Sequence, residues 1–253
     1  MSGVRAGIPS RMVRAEAATA EASAEAAPEL VTEFMVDMMC EGCATSVRNK
    51  LHPLPGVTDI RTSVSDQTVR ITGTESLKSL QKALEETGRA NRLIGQGSLE
   101  EFEISAAVAE FKGPVVMGVL RIAQVTKDTA RVEGQFDGLK PGPHAVFLNQ
   151  YGDLTRGAAS TGGIYIDEGR EAGFLGIANA DETGHAELPT AVVQLRVYDL
   201  IGRALVISES DKVSTENAFA SVVARSAGVG QNLKNLCSCD GTVIWEAQQD
   251  RVS

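Results

Sequence analysis

Four cysteines, arranged as two close pairs, are the residues of this sequence whose types and spacing best suit chemistry. Cys40 and Cys43 form a Cys-x-x-Cys pair between a strand-like and a helix-like run. A helix N-terminus stabilises the thiolate form of a nearby cysteine. Two soft thiolates without a set of histidine or carboxylate ligands close in sequence suit Cu(I), whereas structural zinc asks for four ligands. Soft-metal binding is therefore the first hypothesis, and a redox Cys-x-x-Cys or half of a zinc site are the alternatives.

The second pair, Cys237 and Cys239, is separated by a single residue. Such a pair is too tight for a relaxed internal disulfide, because the ring would be small and strained. Its thiols can instead bind Cu(I) or attack another disulfide by exchange. We therefore predict that Cys237 and Cys239 are both metal ligands and reactive thiols, on a tail made mobile by its glycine-rich entry.

Overall composition excludes several classes of partner. The formal net charge of −9 argues against a nucleic-acid backbone, which favours a basic protein surface. The apolar runs are strand-sized and too short for a membrane-spanning helix, so we expect no membrane insertion. Cysteines placed in two close pairs, rather than spread through a short secreted chain, indicate metal or redox chemistry in a reducing compartment.

The stretch 28–97 alternates strand-like and helix-like patterns. Leu77, Leu80 and Leu84 recur at helical spacing, and Gly88 provides a stop. The pattern predicts a strand, a helix, a hairpin, a second helix and a short last strand, at 30–36, 44–51, 60–71, 74–88 and 91–94. This βαββαβ order is the ferredoxin-like arrangement. It places the first thiol pair in an exposed loop at the start of the first helix.

The Met38-x-Cys40-x-x-Cys43 motif in this element order resembles the heavy-metal-associated domain of copper chaperones and copper-pumping ATPases. The resemblance covers about seventy residues, the predicted domain 28–97. It implies that Cys40 and Cys43 hold Cu(I) and that Met38 packs inward to fix the loop.

The stretch 98–222 has a different sequence pattern, in which short strand-like runs are separated by turns. The runs lie at 115–123, 130–136, 144–148, 192–199 and 204–207, and they predict a β-sandwich or barrel. The segments GLKPGPH, GDLT and IGRALV resemble Cu,Zn superoxide dismutase, at 138–144, 152–155 and 201–206. The resemblance implies a Greek-key β-barrel, and hence a chain that combines an α+β domain with an all-β domain.

Departures from the dismutase pattern fall at its metal-binding positions. Where that family carries metal ligands, this chain has other residues: Phe147, Asn149, Ile164, Phe174 and Ser208. Ala158 replaces a half-cystine. With 3 histidines in the whole chain, a copper–zinc pair lacks imidazoles, so we expect neither dismutase activity nor zinc in the barrel.

The three histidines have other expected roles. His144 matches a structural, hydrogen-bonding histidine of dismutases. His185, in a Gly-His turn, is expected to be solvated, and His52 to cap the first helix.

The two ends of the chain complete the organisation. Residues 223–253 form a tail whose CSCDGTVIWE run closely resembles that of copper chaperones for superoxide dismutase. Residues 1–27 are expected to be a disordered leader or a plastid transit peptide, because Arg5, Arg11 and Arg14 precede any acidic residue.

The three parts in this order resemble copper chaperones for superoxide dismutase of the plant or algal kind. The resemblance implies a non-enzymatic metallochaperone of the cytoplasm, the chloroplast or both. Such a protein would bind Cu(I) and form a heterodimer with a copper-free dismutase subunit through the barrel. It would then insert copper and promote formation of the target's internal disulfide. A homodimer of the chaperone would use similar surfaces. General Cu(I) delivery or sequestration serving copper-pumping ATPases, and a dismutase fused to a metal-acquisition domain, are the alternatives.

Overall fold

The computed structural model describes residues 28–98 and 105–231. The leader 1–27 and the predicted thiol tail around Cys237 and Cys239 lie outside the described residues. No helix in the described part of the chain is long and apolar enough to cross a membrane.

The first unit is the predicted βαββαβ domain. Its four strands pair antiparallel in the order β2-β3-β1-β4, and two helices cover one face of this sheet. The elements are β1 (Leu30–Val36), α1 (Glu41–Leu51), β2 (Val57–Ser63), β3 (Thr68–Gly73), α2 (Leu77–Glu85) and β4 (Asn91–Gly97). The ferredoxin-like order read from the periodicity is therefore confirmed.

Alternation along β1 builds the core of this unit. Phe34 and Val36 are fully buried and pack with Val47, Leu51 and Leu84 on the inner faces of the two helices. Removing such side chains from water stabilises the fold by roughly 1.5–3 kcal/mol each. Helix α2 begins after Ser76, whose hydroxyl accepts the backbone N–H of Ser79 and so satisfies one orphan donor of the first turn.

The second unit is an antiparallel barrel. Within the described residues, nine strands form one sheet in the order β15-β14-β8-β12-β13-β7-β6-β5-β16. Strand β15 also contacts β5, so the two ends of the sheet approach each other and the barrel is nearly closed. The elements are β5 (Ala106–Lys112), β6 (Met117–Gln124), β7 (Ala130–Asp137), β8 (Gly142–Asn149), β9 (Thr155–Ala158), β10 (Ile166–Asp167), β11 (Arg170–Glu171), β12 (Phe174–Ala180), β13 (Ala186–Val193), α3 (Val197–Leu200), β14 (Ala204–Ile207), β15 (Phe219–Val222) and β16 (Ala224–Ser226).

One strand predicted from the sequence is wrong. The run 192–199 leaves the sheet after Val193, and Val197–Leu200 forms the short helix α3. Leu195, Val197 and Leu200 are buried in the barrel core, and the Val197 backbone N–H donates to Gln124 Oε1 at 2.7 Å. Tertiary packing and this hydrogen bond therefore override the strand-like character of the run.

The end of the barrel also lies further along the chain than its sequence pattern suggested. Strand β16 (Ala224–Ser226) pairs with β5, although the predicted tail begins at residue 223. A three-residue strand is too short for alternation to reveal it.

Candidate metal centre

Cys40 and Cys43 lie side by side at the start of helix α1. Cys40 is the N-cap residue, with an extended backbone, and Cys43 occupies the first helical turn. Their Sγ atoms are 3.5 Å apart, well beyond the roughly 2.05 Å of a disulfide, so the two thiols are free and hydrogen-bonded. Cys40 is exposed and Cys43 is buried. The pair is thus open to a partner on one side and supported by the core on the other.

The electrostatics of this loop favour a thiolate at Cys43. The hydrogen bond from the Cys40 thiol lowers the pKa of Cys43, and backbone N–H groups of Cys40 and Met39 lower it further. The positive charge of Arg89 acts in the same direction, and the Arg89 side chain is held by donation to the Asp37 carbonyl at 3.2 Å. A lowered pKa is what a metal-binding thiol needs, because the thiolate is the ligand.

Two neighbours fix the loop that carries the thiols. Met38 is buried in the core of the first unit with 1% exposure, which confirms its predicted inward packing, whereas Met39 is 83% exposed. Glu41 pairs with Arg48 at 2.6 Å, and the Arg48 guanidinium also donates to Thr62 Oγ1 at 2.6 Å. These contacts of Arg48 connect the start of α1 to strand β2. They were not apparent from the sequence, because they join positions far apart in the chain.

Two of the barrel positions expected to correspond to dismutase metal ligands, Phe147 and Ile164, take part in apolar packing. Phe147 pairs in register with Phe174 across strands β8 and β12. Phe147 lies in an apolar cluster, and Ile164 packs against it. The remaining cluster members are small or aliphatic: Ala145, Ala158, Ala204 and Val206, with Ile177, Ala218 and Ala220 at the edge.

The polar residues expected at two further such positions, Asn149 and Ser208, form hydrogen bonds inside the barrel, although Asn149 Oδ1 is buried without a hydrogen-bond partner. Asn149 Nδ2 donates to Thr161 Oγ1 at 2.7 Å and to the Gly162 carbonyl at 3.1 Å. The fully buried Ser208 hydroxyl accepts the Ala145 backbone N–H at 3.2 Å. Among the described residues, no group of three or more histidines, cysteines or carboxylates could hold a metal ion.

The histidines of the barrel serve the fold. His144 is 2% exposed, and its ring nitrogens lie 2.7 Å from the carbonyl oxygens of Ser208 and Lys140, which confirms its structural role. His185 is half-buried and lies 2.8 Å from Asp137 and 3.3 Å from Glu187, two partners that the expectation of a solvated turn residue missed. The bond to Asp137, followed by that to Glu187, raises the pKa of His185.

Comparison with known families accounts for both units. The family model described as "Heavy-metal-associated domain" matches residues 33–90, and that described as "Copper/zinc superoxide dismutase (SODC)" matches residues 116–231. The chain is 52% identical over 220 residues to the copper chaperone for superoxide dismutase, chloroplastic/cytosolic, of Arabidopsis thaliana, covering 85% of this chain and 69% of that protein. The chain belongs to the copper chaperones for superoxide dismutase. These relatives are named as chaperones rather than dismutases, which confirms the expectation of a metallochaperone.

Two further copper chaperones for superoxide dismutase show the same relationship. The chloroplastic protein of Oryza sativa subsp. japonica is 48% identical over 218 residues, with 85% of this chain and 70% of that protein covered. The Homo sapiens protein is 38% identical over 238 residues, with 84% and 87% covered. The match therefore extends over both units.

Proposed function

We propose that this copper chaperone carries Cu(I) on Cys40 and Cys43 and delivers it to a copper-free Cu,Zn superoxide dismutase subunit. The observation that carries the proposal is the free thiol pair, 3.5 Å apart, with Cys40 exposed at the end of a loop anchored by Met38. Two thiolates leave Cu(I) with a low coordination number. A third ligand from the target can then enter, and copper passes by ligand exchange without release of a free ion.

The barrel supports docking through an apolar surface, here called the Gly152 patch, formed by Tyr151, Leu154 and Val222 around Gly152 and Gly202. The three apolar side chains are 59%, 37% and 37% exposed. The Gly152 backbone lies so close to Gly202 that a Cβ at Gly152 would be 2.2 Å from the Gly202 carbonyl oxygen. Glycine therefore keeps the patch flat, as a protein interface requires. We infer that a dismutase subunit pairs here as a heterodimer, and that a homodimer would use the same surface.

Cys237 and Cys239 supply the thiol–disulfide chemistry in this proposal. The oxidised pair is a strained disulfide and therefore exchanges readily: a target thiolate attacks one sulfur, forms a mixed disulfide and releases the other sulfur as a thiolate. A second target thiolate then displaces the tail. The target gains its internal disulfide, and the two electrons remain on the reduced tail, which an external disulfide oxidant must reoxidise. When reduced, the same two thiols are available as Cu(I) ligands.

Activation of a dismutase tests the function. Protein that carries Cu(I) on Cys40 and Cys43 and has its tail pair oxidised is mixed with reduced, copper-free dismutase and a chelator that removes free copper, and activity and non-reducing gel mobility are followed. We expect activation and a mixed-disulfide band with the wild type, loss of copper delivery with Cys40→Ser/Cys43→Ser, and loss of the band with Cys237→Ser/Cys239→Ser. Equal activation by wild type and the tail variant would make the tail accessory.

General Cu(I) delivery or sequestration serving copper-pumping ATPases remains the competing function, because the heavy-metal-associated unit alone could perform it. Preference for an ATPase metal-binding domain over dismutase as copper acceptor would support it. The names of the plant relatives favour action in the chloroplast, the cytosol or both. The cargo in either case is copper, and we propose no zinc site in the barrel.

A further inference from the structure

A buried carboxylate on the metal-binding unit contacts the end of the barrel. Glu33 lies on β1 between residues that face the helix-covered core, so its side chain points to the opposite face of the sheet. A four-stranded sheet with helices on one face would leave that carboxylate in water, yet Glu33 is 0% exposed. Arg70 Nε donates to Glu33 Oε1 at 2.7 Å, and the Gly230 backbone N–H donates to Glu33 Oε2 at 2.8 Å.

The segment that covers Glu33 is 227–231, which leads from the last barrel strand towards Cys237. The Ala227 carbonyl accepts the Gln96 backbone N–H at 3.4 Å. A Cβ on Gly95 would lie 2.6 Å from the Gly228 carbonyl oxygen, so the two backbones touch with no room for a side chain. Gln231 Oε1 closes the segment by accepting the Gly228 N–H at 3.1 Å. The segment is therefore seated on β1 and β4 by backbone contacts.

A second carboxylate joins the two units from the barrel side. Glu133, on β7, accepts the Leu77 backbone N–H at 3.1 Å and Gln96 Nε2 at 3.2 Å. It thus caps the N-terminus of helix α2 in the other unit, where a negative charge is favourable. Its neighbour Arg131 is 2% exposed and donates to the Glu75 carbonyl at 2.6 Å.

Both contacts lie in one continuous interface. Leu30 of β1 packs against Ala123 and Val125 of the barrel, and Lys78 of α2 pairs with Glu187 of β13. Charged groups in such a setting are costly to bury unless each is paired. Each carboxylate has an arginine within its own unit, Arg70 at 2.7 Å from Glu33 and Arg131 at 3.8 Å from Glu133. The second partners, the backbone N–H groups of Gly230 and Leu77, come from the other unit, so the carboxylates are fully hydrogen-bonded only in the docked arrangement.

We propose that Glu33 and Glu133 are positioning residues for copper delivery, holding the metal-binding unit and the start of the tail in a fixed relation to the barrel. The proposal rests on the proposed function, because it concerns how Cys40 and Cys43 reach a target docked on the barrel. Cys237 follows Gly230 by seven residues, a span of at most about 25 Å. Fixing Gly230 on β1 therefore bounds where the second thiol pair can act.

Amide exchange in the full chain tests the contacts themselves. The variants are Glu33→Ala, Glu133→Ala and the double substitution, which remove both acceptor oxygens, and the control is Glu86→Ala, which removes one carboxylate from a half-exposed pair with Lys50. Hydrogen exchange is measured at the Gly230 and Leu77 amides, the donors to the two carboxylates. We expect each amide to exchange about tenfold faster or more in its own variant, and neither to change in the control. Unchanged exchange in both variants would overturn the contacts.

Copper delivery at equal Cu(I) loading tests the positioning role. In the double variant we expect the maximal rate of dismutase activation to fall about fivefold or more, because removing a positioning contact misaligns reacting groups. The dismutase concentration that gives the half-maximal rate should stay unchanged, because the substitutions do not alter the Gly152 patch. In each single variant, the maximal rate of activation should lie between those of the wild type and the double variant. Simple loss of folded protein would instead appear as reduced ellipticity and reduced copper binding.

Two outcomes of the activation assay overturn the positioning role while leaving the proposed function intact. Faster amide exchange with an unchanged maximal rate of dismutase activation would show that the contacts exist but do not position copper. If only the dismutase concentration at half-maximal rate rose, the contacts would contribute to docking instead. If the wild type activates no dismutase, the proposed function fails and the positioning role falls with it, while the exchange measurement still reports on the contacts.

Discussion

At the scale of single residues, the two thiols of the metal loop are inequivalent. Cys40 is exposed, whereas Cys43 is buried and receives the hydrogen bonds that favour its thiolate. An exposed ligand next to a supported one suits ligand exchange, since an incoming thiolate can approach copper from the Cys40 side while Cys43 keeps its place. The sequence predicted the thiol pair and the inward Met38, but not the lowered pKa of Cys43, because that depends on hydrogen bonds within the folded loop.

Removing the Cys40 thiol should make Cys43 less acidic. The Cys40 hydrogen bond is the largest cause of the lowered pKa of Cys43. In a Cys237→Ser/Cys239→Ser background, Cys40→Ala should move the pKa of Cys43 upward towards the ordinary thiol value of about 8.5. Thiolate absorbance followed against pH measures the change. An unmoved titration would show that the backbone N–H groups alone set the acidity.

His185 should titrate above its ordinary range. Its folded pKa is raised by Asp137 and then by Glu187, so the stabilising contribution is fully present below the unfolded value of about 6.5 and is lost as the pH rises through the folded pKa. Asp137→Asn should lower the His185 midpoint in an NMR pH titration and weaken stability at acidic rather than alkaline pH. A His185 midpoint that does not move would contradict the assignment.

At the scale of elements, local pattern predicted most of the first unit and less of the second. Alternation and helical spacing predict β1, α1, β3 and α2, because each buries one regular face. The helix α3 could not be predicted, since its conformation depends on the distant Gln124 side chain. Likewise, Glu33 and Glu133 read as ordinary strand carboxylates until the fold brings Gly230 and Leu77 to them.

Histidine at position 147, where the sequence comparison expects a dismutase ligand, should damage the barrel. Phe147 is 1% exposed among aliphatic neighbours, so Phe147→His creates a void and buries an imidazole without partners. We expect the free energy of unfolding to fall by about 2–5 kcal/mol, measured by denaturant titration. The matched control is Phe174→His, because Phe174 pairs with Phe147 in register but is 49% exposed; its cost should be about 1 kcal/mol or less. Equal losses would contradict the packed-cluster account.

At the scale of the whole molecule, the proposed role of the dismutase-like unit is that of a docking platform. The positions expected for dismutase metal ligands carry Phe147, Asn149, Ile164, Phe174 and Ser208, whereas the Gly152 patch is exposed. In the proposed function the barrel offers the partner surface, and the buried interface with the metal-binding unit would set the direction from which Cys40 and Cys43 approach.

Disrupting the Gly152 patch should weaken docking. Tyr151 is 59% exposed at its centre, and Tyr151→Lys would place a charge in an apolar contact. We expect at least about a tenfold loss of affinity for copper-free dismutase, measured by titration calorimetry. Met117→Lys is the control, because Met117 is 61% exposed on strand β6 away from the patch. A similar loss in both variants would point to charge rather than to the surface.

The most direct test of the central claim is to measure which acceptor protein receives the copper. Cu(I)-loaded full-length protein is incubated with reduced, copper-free dismutase and an ATPase metal-binding domain in equal amounts, with a chelator present, and the copper content of each separated protein is measured. The account predicts that copper moves mainly to dismutase, and that Tyr151→Lys abolishes this preference while Met117→Lys does not. Copper found mainly on the ATPase domain, or shared irrespective of the patch, would contradict it.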